Sequence, residues 1–173
     1  MDRAFIAAQL ASGCQTLERA GGDVIVVACN TVHMFFDDMQ QAVSVPLLSI
    51  IDETVRAVIA HDAKRVLLLG TPFTLKNKLY QNKLQKAGVS VRVPTNADQK
   101  RLFGVITSVL DNGPTPQSKA ELLSIIDTNK QGVDGVVLGC TELPLALQNE
   151  RIGIQTYDTL QILADAVYNY SIS

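Results

Sequence analysis

Two cysteines follow matching stretches of sequence, and this repetition is the clearest chemical signal in the chain. Gly21-Gly22-Asp23 and an apolar run lead to Cys29, and Gly132-Val133-Asp134 and a similar run lead to Cys140, at a common offset of 111 positions. Each copy has the pattern of a helix end, a turn, a buried parallel strand and a cysteine just beyond it. Ligands of open α/β sheets bind at the carboxyl ends of strands. We therefore expect both thiols to lie in equivalent places beside a ligand.

The residues after each cysteine predict that its sulfur lies near the beginning of a helix. Asn30-Thr31 follows Cys29 and precedes a helical pattern, and Thr141-Glu142 follows Cys140 and precedes a proline suited to a first helical turn. Unpaired backbone N–H groups and the helix dipole favour an anion there. Such a position can lower the pKa of a thiol and can also hold a substrate carboxylate.

The cysteine count of three, with wide spacing, predicts free thiols rather than a disulfide framework. No Cys-x-x-Cys pair or Cys/His cluster has the spacing of zinc ligands, so we expect no metal. A lone cysteine at a strand end is usually a small buried hydrophobic residue, but the shared register of Cys29 and Cys140 favours a chemical role. Cys14, in an alanine-rich helical pattern, is interpreted as a buried apolar residue.

A third motif, Gly70-Thr71-Pro72-Phe73-Thr74, follows a further apolar run. Its two hydroxyl groups and the free N–H groups of a strand-to-helix turn are suited to binding a carboxylate. The alternative is that Thr74 caps the helix that follows, and the two roles are compatible.

The elements that must position these residues alternate between short apolar runs and longer amphipathic stretches, the pattern of βαβ units and a mostly parallel sheet. The predicted strands are 24–28, 47–50, 65–69, 89–93, 135–138 and 153–156. The predicted helices are 3–20, 32–42, 53–61, 75–86, 98–110, 119–130 and 159–170. Gly88 is predicted to end one helix, and Asp52 and Thr74 to cap two others.

Composition excludes several classes of protein. The 173 residues are 47% hydrophobic with a formal net charge of -2, and the basic residues are scattered, so we expect no nucleic-acid or membrane surface. The apolar runs are far shorter than the roughly 20 residues that span a bilayer. The N-terminus has no secretory signal pattern, which favours a cytoplasmic location.

Three ordered motifs resemble the aspartate/glutamate racemase family: Cys29-Asn30-Thr31-Val32-His33, Gly70-Thr71-Pro72-Phe73-Thr74 and Gly139-Cys140-Thr141-Glu142-Leu143-Pro144-Leu145. The similarity continues through residues 17–21 and 80–88. The Cys-Thr-Glu form resembles the aspartate racemase branch, because glutamate racemases usually carry histidine at the third place. The resemblance implies an α/β fold of two similar lobes, each a parallel sheet flanked by helices. We assign 1–50 plus 155–173 to the first lobe and 51–154 to the second.

The resemblance also implies a cofactor-independent racemase, most simply of aspartate, in which Cys29 and Cys140 face opposite sides of the substrate α-carbon. One thiolate removes the α-proton and the opposite thiol delivers another, because a single base would return its proton to the same face. No pyridoxal cofactor or metal takes part. The residues that the family pattern assigns to substrate binding are Asn30, Thr31, Thr71, Thr74, Thr141 and Glu142.

Two of the motif residues have open alternatives. Glu142 orients Cys140, contacts the substrate amine or is a solvated acid of a first helical turn. His33 packs and forms hydrogen bonds at a helix start, or it helps to deprotonate Cys29.

The chain departs from the family pattern at its beginning. Family members start with a strand, a glycine-rich turn, a helix and a second strand ahead of the helix that begins here near Arg3. We therefore expect an incomplete first lobe whose open edge is covered in a homodimer. Candidates for contacting a distal substrate carboxylate are Lys76, Lys78 and Arg56, although a solvated helix face explains each of them better.

The sequence also fits other functions. Hydantoin racemases and maleate isomerases also use paired cysteines. A different class is a truncated, inactive remnant that binds an acidic amino acid or a protein partner.

Overall fold

The computed structural model describes residues 2–148 and 150–172, which form two parallel sheets surrounded by helices. The strands are β1 (Ile25–Val26), β2 (Leu47–Leu48), β3 (Arg65–Gly70), β4 (Ser90–Arg92), β5 (Gly135–Gly139) and β6 (Gln155–Asp158). The helices are α1 (Arg3–Arg19), α2 (Phe36–Gln41), α3 (Ile50–Ala60), α4 (Pro72–Lys76), α5 (Gln81–Lys86), α6 (Asn96–Asn112), α7 (Pro116–Asn129), α8 (Glu142–Leu147) and α9 (Thr159–Ser171), and a 3-10 helix covers Thr31–Phe35. The predicted α/β class with parallel sheets is confirmed.

The sheets differ in size. β1 pairs with β2, and the larger sheet has the order β4-β3-β5-β6, with every pair parallel. β3 and β5 are central, and their last residues, Gly70 and Gly139, lie side by side. The motifs that follow these two strands therefore begin at one edge of the sheet.

The C-terminal segment belongs to the larger sheet, which corrects its assignment to the first lobe. β6 pairs with β5, and Leu163 of α9 lies in the same buried cluster as Val66 of β3 and Tyr157 of β6. Strand pairing is a long-range property that the apolar pattern of 155–173 does not specify. The lobe boundary near residue 50 stays a prediction.

The core lies on both faces of the larger sheet, because side chains alternate along a strand. On β3, Leu67 and Leu69 pack with the helices α6, α7 and α8, and Val66 and Leu68 pack with α3, α5 and α9. Strands buried on both faces are continuously apolar, which is why this run was recognisable in the sequence.

Two predicted helix caps were wrong by three residues. Ser49, with extended backbone, accepts a hydrogen bond from the Asp52 N–H at 3.2 Å, and Thr71 accepts one from the Thr74 N–H at 3.2 Å. The helices begin earlier than predicted because buried Ile50 and a proline at the first turn of α4 extend them toward the N-terminus.

The predicted helix 75–86 is two short helices with an interruption. Lys78 adopts a left-handed backbone with φ of 52°, and the chain resumes its helical course at α5. Tyr80, at the start of α5, is completely buried. Gly88 ends α5 with φ of 78°, as predicted. Among the described residues, no helix is long and apolar enough to cross a bilayer.

The close approach of β3 and β5 at Gly139 gives a stability prediction. A Cβ atom at Gly139 would lie 2.7 Å from the Leu69 carbonyl oxygen, so Gly139→Ala must push two central strands apart. We expect the free energy of unfolding in urea to fall by about 1–3 kcal/mol. The control is Gly104→Ala in α6, where a Cβ meets nothing within 4 Å; it should raise that free energy by about 0.5–1 kcal/mol. Equal effects of the two changes would contradict the packing argument.

Candidate active site

Cys29 lies just beyond β1 and lines a cavity. It is exposed, and the 3-10 helix Thr31–Phe35 begins two residues later, where a regular α-helix was predicted. The cavity has a volume of 670 Å³ and is lined by Arg3, Ile6, Cys29, Thr31, Val32, Met34, Phe35, Thr71 and Phe73. Cys29 therefore lies beside a space large enough for a small ligand, and its catalytic role stays a prediction.

Cys140 directly follows β5 and is buried, and its sulfur contacts an acid. Its Sγ donates a hydrogen bond to Glu142 Oε2 at 2.9 Å, and the Thr141 hydroxyl donates to the same oxygen at 3.1 Å. Of the alternatives for Glu142, the hydrogen bond favours a role in orienting Cys140.

The pKa of Cys140 is raised to about 12, which corrects the expectation of a lowered value. Burial is the largest cause, followed by the hydrogen bond to Glu142 and by the charge of that carboxylate. A helix of six residues offers too little to oppose an adjacent negative charge. Cys140 is therefore a thiol at neutral pH.

The two candidate cysteines interact electrostatically. The charge of Cys29 contributes to the raised pKa of Cys140, after the larger effects of burial and Glu142. Like charges oppose each other over short distances in a protein of low effective dielectric constant. The pair is thus arranged so that a thiolate at one sulfur favours a thiol at the other.

Three threonine hydroxyls meet in a triangle beside Cys29. Thr31 Oγ1 lies 3.2 Å from Thr71 Oγ1 and 3.3 Å from Thr74 Oγ1, and the last two are 3.1 Å apart. Thr31 and Thr71 also line the cavity. The motifs that follow β1 and β3 therefore bring three predicted substrate-binding residues together. Their contact with a substrate stays a prediction.

Asn30 is directed into the protein rather than toward the cavity. Its Nδ2 donates to Thr159 Oγ1 at 3.2 Å, and Thr159 donates to the Leu138 carbonyl at 2.9 Å. The Tyr80 hydroxyl donates to Asn30 Oδ1, and burial raises the pKa of Tyr80, which keeps this donor protonated. The side chain of Asn30 thus joins the Cys29 segment to β5, and sequence analysis missed the partners Tyr80 and Thr159.

His33 has a structural role in this arrangement. Its Nδ1 is 2.8 Å from the Cys29 carbonyl oxygen, and its Nε2 accepts the Ile50 N–H at 3.2 Å, which fixes a neutral ring with the proton on Nδ1. Burial lowers the pKa of His33. With both ring nitrogens engaged by the backbone, His33 packs and bonds at the helix start instead of deprotonating Cys29.

The candidates for a distal carboxylate contact lie away from the cavity. Arg56 forms an ion pair with Glu53 on α3, and Lys76 and Lys78 are exposed. Arg3, which sequence analysis did not single out, lines the cavity instead. Within residues 2–148 and 150–172, no cluster of three or more His, Cys, Asp or Glu side chains could hold a metal ion.

Comparison with known proteins identifies the family. The sequence profile described as Asp/Glu/Hydantoin racemase matches residues 1–167. The chain belongs to this family. The broad specificity amino-acid racemase RacX of Bacillus subtilis is 30% identical over 152 residues, which cover 88% of this chain and 66% of RacX.

Solved structures of this racemase family share the fold. An aspartate racemase homologue from Pyrococcus horikoshii is 32% identical with a TM-score of 0.84, covering 96% of this chain and 74% of that one. The aspartate racemase of Picrophilus torridus is 28% identical with a TM-score of 0.85, covering 95% and 69%. The chain spans 66% of the length of RacX and 61% of the length of the glutamate racemase of Aquifex pyrophilus.

The contact between Cys140 and Glu142 predicts how alkylation depends on pH. Glu142→Gln removes the carboxylate charge that favours the thiol, so the pKa of Cys140 should fall from about 12. With Cys14 and Cys29 replaced by alanine, we expect alkylation by iodoacetamide at pH 9 to accelerate roughly 10-fold, since one pKa unit changes the thiolate fraction tenfold. The control is Glu121→Gln, at a carboxylate that forms an ion pair with Arg101, and it should leave the rate of alkylation unchanged. Unchanged alkylation in Glu142→Gln would contradict the assigned cause.

Proposed function

We propose that this chain racemises an amino acid without a cofactor, aspartate in the first place, with Cys29 and Cys140 as its acid and base. The observation that carries the proposal is the difference between the two thiols, one exposed on a cavity and one buried as a hydrogen-bonded acid. The family supports racemisation, and the similarity to aspartate racemases, with the Cys-Thr-Glu motif, supports the substrate.

In the proposed direction, a Cys29 thiolate takes the α-proton and becomes a thiol. Cys140 delivers its S–H proton to the opposite face and becomes a thiolate, so the substrate keeps its proton count. The threonine triangle and the N–H groups near it stabilise the charge that develops as the α-carbon loses its proton.

The opposite direction requires Cys140 to be a thiolate and Cys29 to be a thiol, and the exposed Cys29 takes its proton from solvent. Glu142 Oε2, at 2.9 Å from Sγ, is placed to accept the proton of Cys140. Thr141, which donates to the same carboxylate oxygen, holds Glu142 in position. We assign Glu142 as a positioning residue and proton acceptor for Cys140.

Thiol chemistry of this kind needs a reducing compartment, and we place the protein in the cytoplasm.

Two other classes of substrate should be compared with aspartate. The description of the family includes hydantoin racemases, and the relative RacX is described as a broad specificity amino-acid racemase. The predominantly apolar wall of the cavity at Cys29, formed by Ile6, Val32 and Phe73 among others, favours testing neutral amino acids beside aspartate. Binding without any proton exchange would identify a non-catalytic remnant instead.

Exchange of the α-proton in deuterium oxide tests the mechanism. We expect Cys29→Ala and Cys140→Ala each to lose at least roughly 100-fold of the racemisation rate, since general acid–base catalysis contributes about 10²–10⁴-fold. Any remaining exchange should be confined to one enantiomer, and to opposite enantiomers in the two variants. Cys14→Ala, at a buried cysteine of α1, is the control and should retain full activity. The two-base mechanism is wrong if racemisation survives both active-site changes.

We propose that the protein is a homodimer that covers the outer edge of β1. Within the described residues, β1 has a strand partner on one side alone, and a groove of 460 Å³ beside it is lined by Leu10, Leu17, Ile25 and Val26 among others. Unpaired strand edges with apolar surroundings are templates for pairing with another chain.

Light scattering at micromolar concentration tests the dimer. We expect the mass of two chains, and Val26→Lys should reduce it to one because a charge on the edge opposes strand pairing. The matched control is Val93→Lys, since Val93 is 38% exposed and Val26 is 36% exposed. A monomer mass for the unaltered chain would contradict the proposal.

A further inference from the structure

One buried side chain, Tyr80, touches the residues next to both cysteines. It is completely buried, and its hydroxyl donates a hydrogen bond to Oδ1 of Asn30, the residue after Cys29. Its ring lies against Gly139, the residue before Cys140, because a Cβ atom at Gly139 would stand 3.5 Å from the ring carbon Cε2. The two ends of this side chain therefore belong to the two halves of the candidate active site.

The electrostatics of Tyr80 agree with this placement. Burial raises the pKa of Tyr80, and the charge of Cys140 adds a smaller increase. Such charge effects weaken with distance, so the phenol lies close to the Cys140 sulfur. Because the hydroxyl keeps its proton at neutral pH, it stays a donor to Asn30 whichever of the two thiols is ionised.

The amide of Asn30 is held at both of its ends. Its Oδ1 accepts from Tyr80, and its Nδ2 donates to Thr159 Oγ1 at 3.2 Å. Thr159 in turn donates to the carbonyl of Leu138 on β5 at 2.9 Å. All three polar side chains are buried, where a donor or acceptor without a partner is unfavourable. The Cys29 segment therefore cannot shift relative to β5 without breaking one of these bonds.

We infer that Tyr80 is a positioning residue that sets the separation of the two sulfurs, with its ring against the Cys140 segment and its hydroxyl on the Cys29 segment. The inference rests on the proposed function, in which both sulfurs approach one α-carbon from opposite faces. A misplacement of about 1 Å in such an arrangement can lower the rate about 100-fold. Tyr80 acts through Asn30 and Gly139, and it is neither the acid nor the base.

A second tyrosine provides a matched control. Tyr157 on β6 is also buried and belongs to the same core cluster as Tyr80. Its hydroxyl has no hydrogen-bond partner within residues 2–148 and 150–172. Phenylalanine at either position removes one buried hydroxyl and keeps the ring, but Tyr80→Phe also leaves Asn30 Oδ1 without its donor. The difference between the two variants thus isolates the bond to Asn30.

Steady-state kinetics of α-proton exchange test the positioning role. We expect Tyr80→Phe to lower kcat roughly 10- to 100-fold in both directions. KM should change less than about 3-fold, because the threonine triangle keeps its hydrogen bonds. Tyr157→Phe should keep the kcat of the unaltered protein. Circular dichroism at the assay temperature establishes that each variant is folded.

The other end of the hydrogen-bond chain gives a second pair of variants. Thr159→Val removes the hydroxyl that joins Asn30 to Leu138, and Thr159→Ser retains it. We expect kcat to fall in the valine variant and to be largely retained in the serine variant. This pair decides the question if Tyr80→Phe does not fold, and equal kcat values for valine and serine would then overturn the inference.

The outcomes separate the inference from the proposed function. An unchanged kcat in folded Tyr80→Phe, a loss that comes through KM, or an equal loss of kcat in Tyr157→Phe overturns the inference, while cysteine-dependent exchange by the unaltered protein still supports the proposed function. If the unaltered protein exchanges no amino acid, the proposed function fails, and the separation of the sulfurs is measured without catalysis.

Thiol cross-linking with dibromobimane supplies that measurement. In proteins that also carry Cys14→Ala, the reagent joins Cys29 to Cys140 when the two sulfurs lie close together, and intact mass gives the yield. We expect a lower yield of the cross-linked product in Tyr80→Phe than in Tyr157→Phe, whose yield should equal that of the tyrosine-bearing parent. Equal yields in the three proteins, including no product in any of them, would overturn the inference.

Discussion

A buried chain of hydrogen bonds through Asn30 determines where the two cysteine segments lie relative to each other. Tyr80 donates to Asn30, Asn30 donates to Thr159, and Thr159 donates to the carbonyl of Leu138 on β5. Each of these polar groups is buried, and leaving one unpaired costs about 1–3 kcal/mol. The segment after Cys29, which contributes Thr31 to the cavity and to the threonine triangle, is thereby tied to the strand that ends at Gly139, next to Cys140.

The two cysteines come from matching sequences but have different environments. Cys29 follows a strand of two residues and is exposed, whereas Cys140 follows a central strand and is buried. The pattern of glycine, aspartate and cysteine specifies the turn and the strand, which are local features. The solvent exposure of each cysteine, and whether a carboxylate lies beside its sulfur, depend on the residues that pack around each strand. A repeated sequence pattern therefore predicts that two residues occupy equivalent positions in the fold, but it does not predict that they have the same chemical properties.

The difference between local features and long-range packing also explains how much of the site could be predicted from the sequence. β3, β5 and the threonines were recognisable because buried strands and the turns after them have strong local signals. The sequence did not reveal that Asn30 points inward or that Tyr80 is its partner, because these two residues lie 50 positions apart in the chain. Arg3 resembled any exposed arginine at a helix start, and its place in the cavity depends on Phe35. The predicted caps of α3 and α4 were three residues late because each helix start offers two suitable capping side chains, Ser49 and Asp52 in α3 and Thr71 and Thr74 in α4.

The unequal thiols bear on how a racemase of this design treats its two enantiomers. Racemisation has an equilibrium constant of one, so the protein cannot favour either product at equilibrium. It can hold one protonation state at rest, and the raised pKa of Cys140 selects the state in which this sulfur is the acid. In the proposed mechanism, the enantiomer whose α-proton faces Cys29 meets a protein in which Cys140 already carries the proton that it must deliver. Its mirror image requires prior proton transfer from Cys140 to Glu142, so we expect kcat and KM each to depend on pH differently in the two directions, whereas kcat/KM stays equal in both directions at every pH.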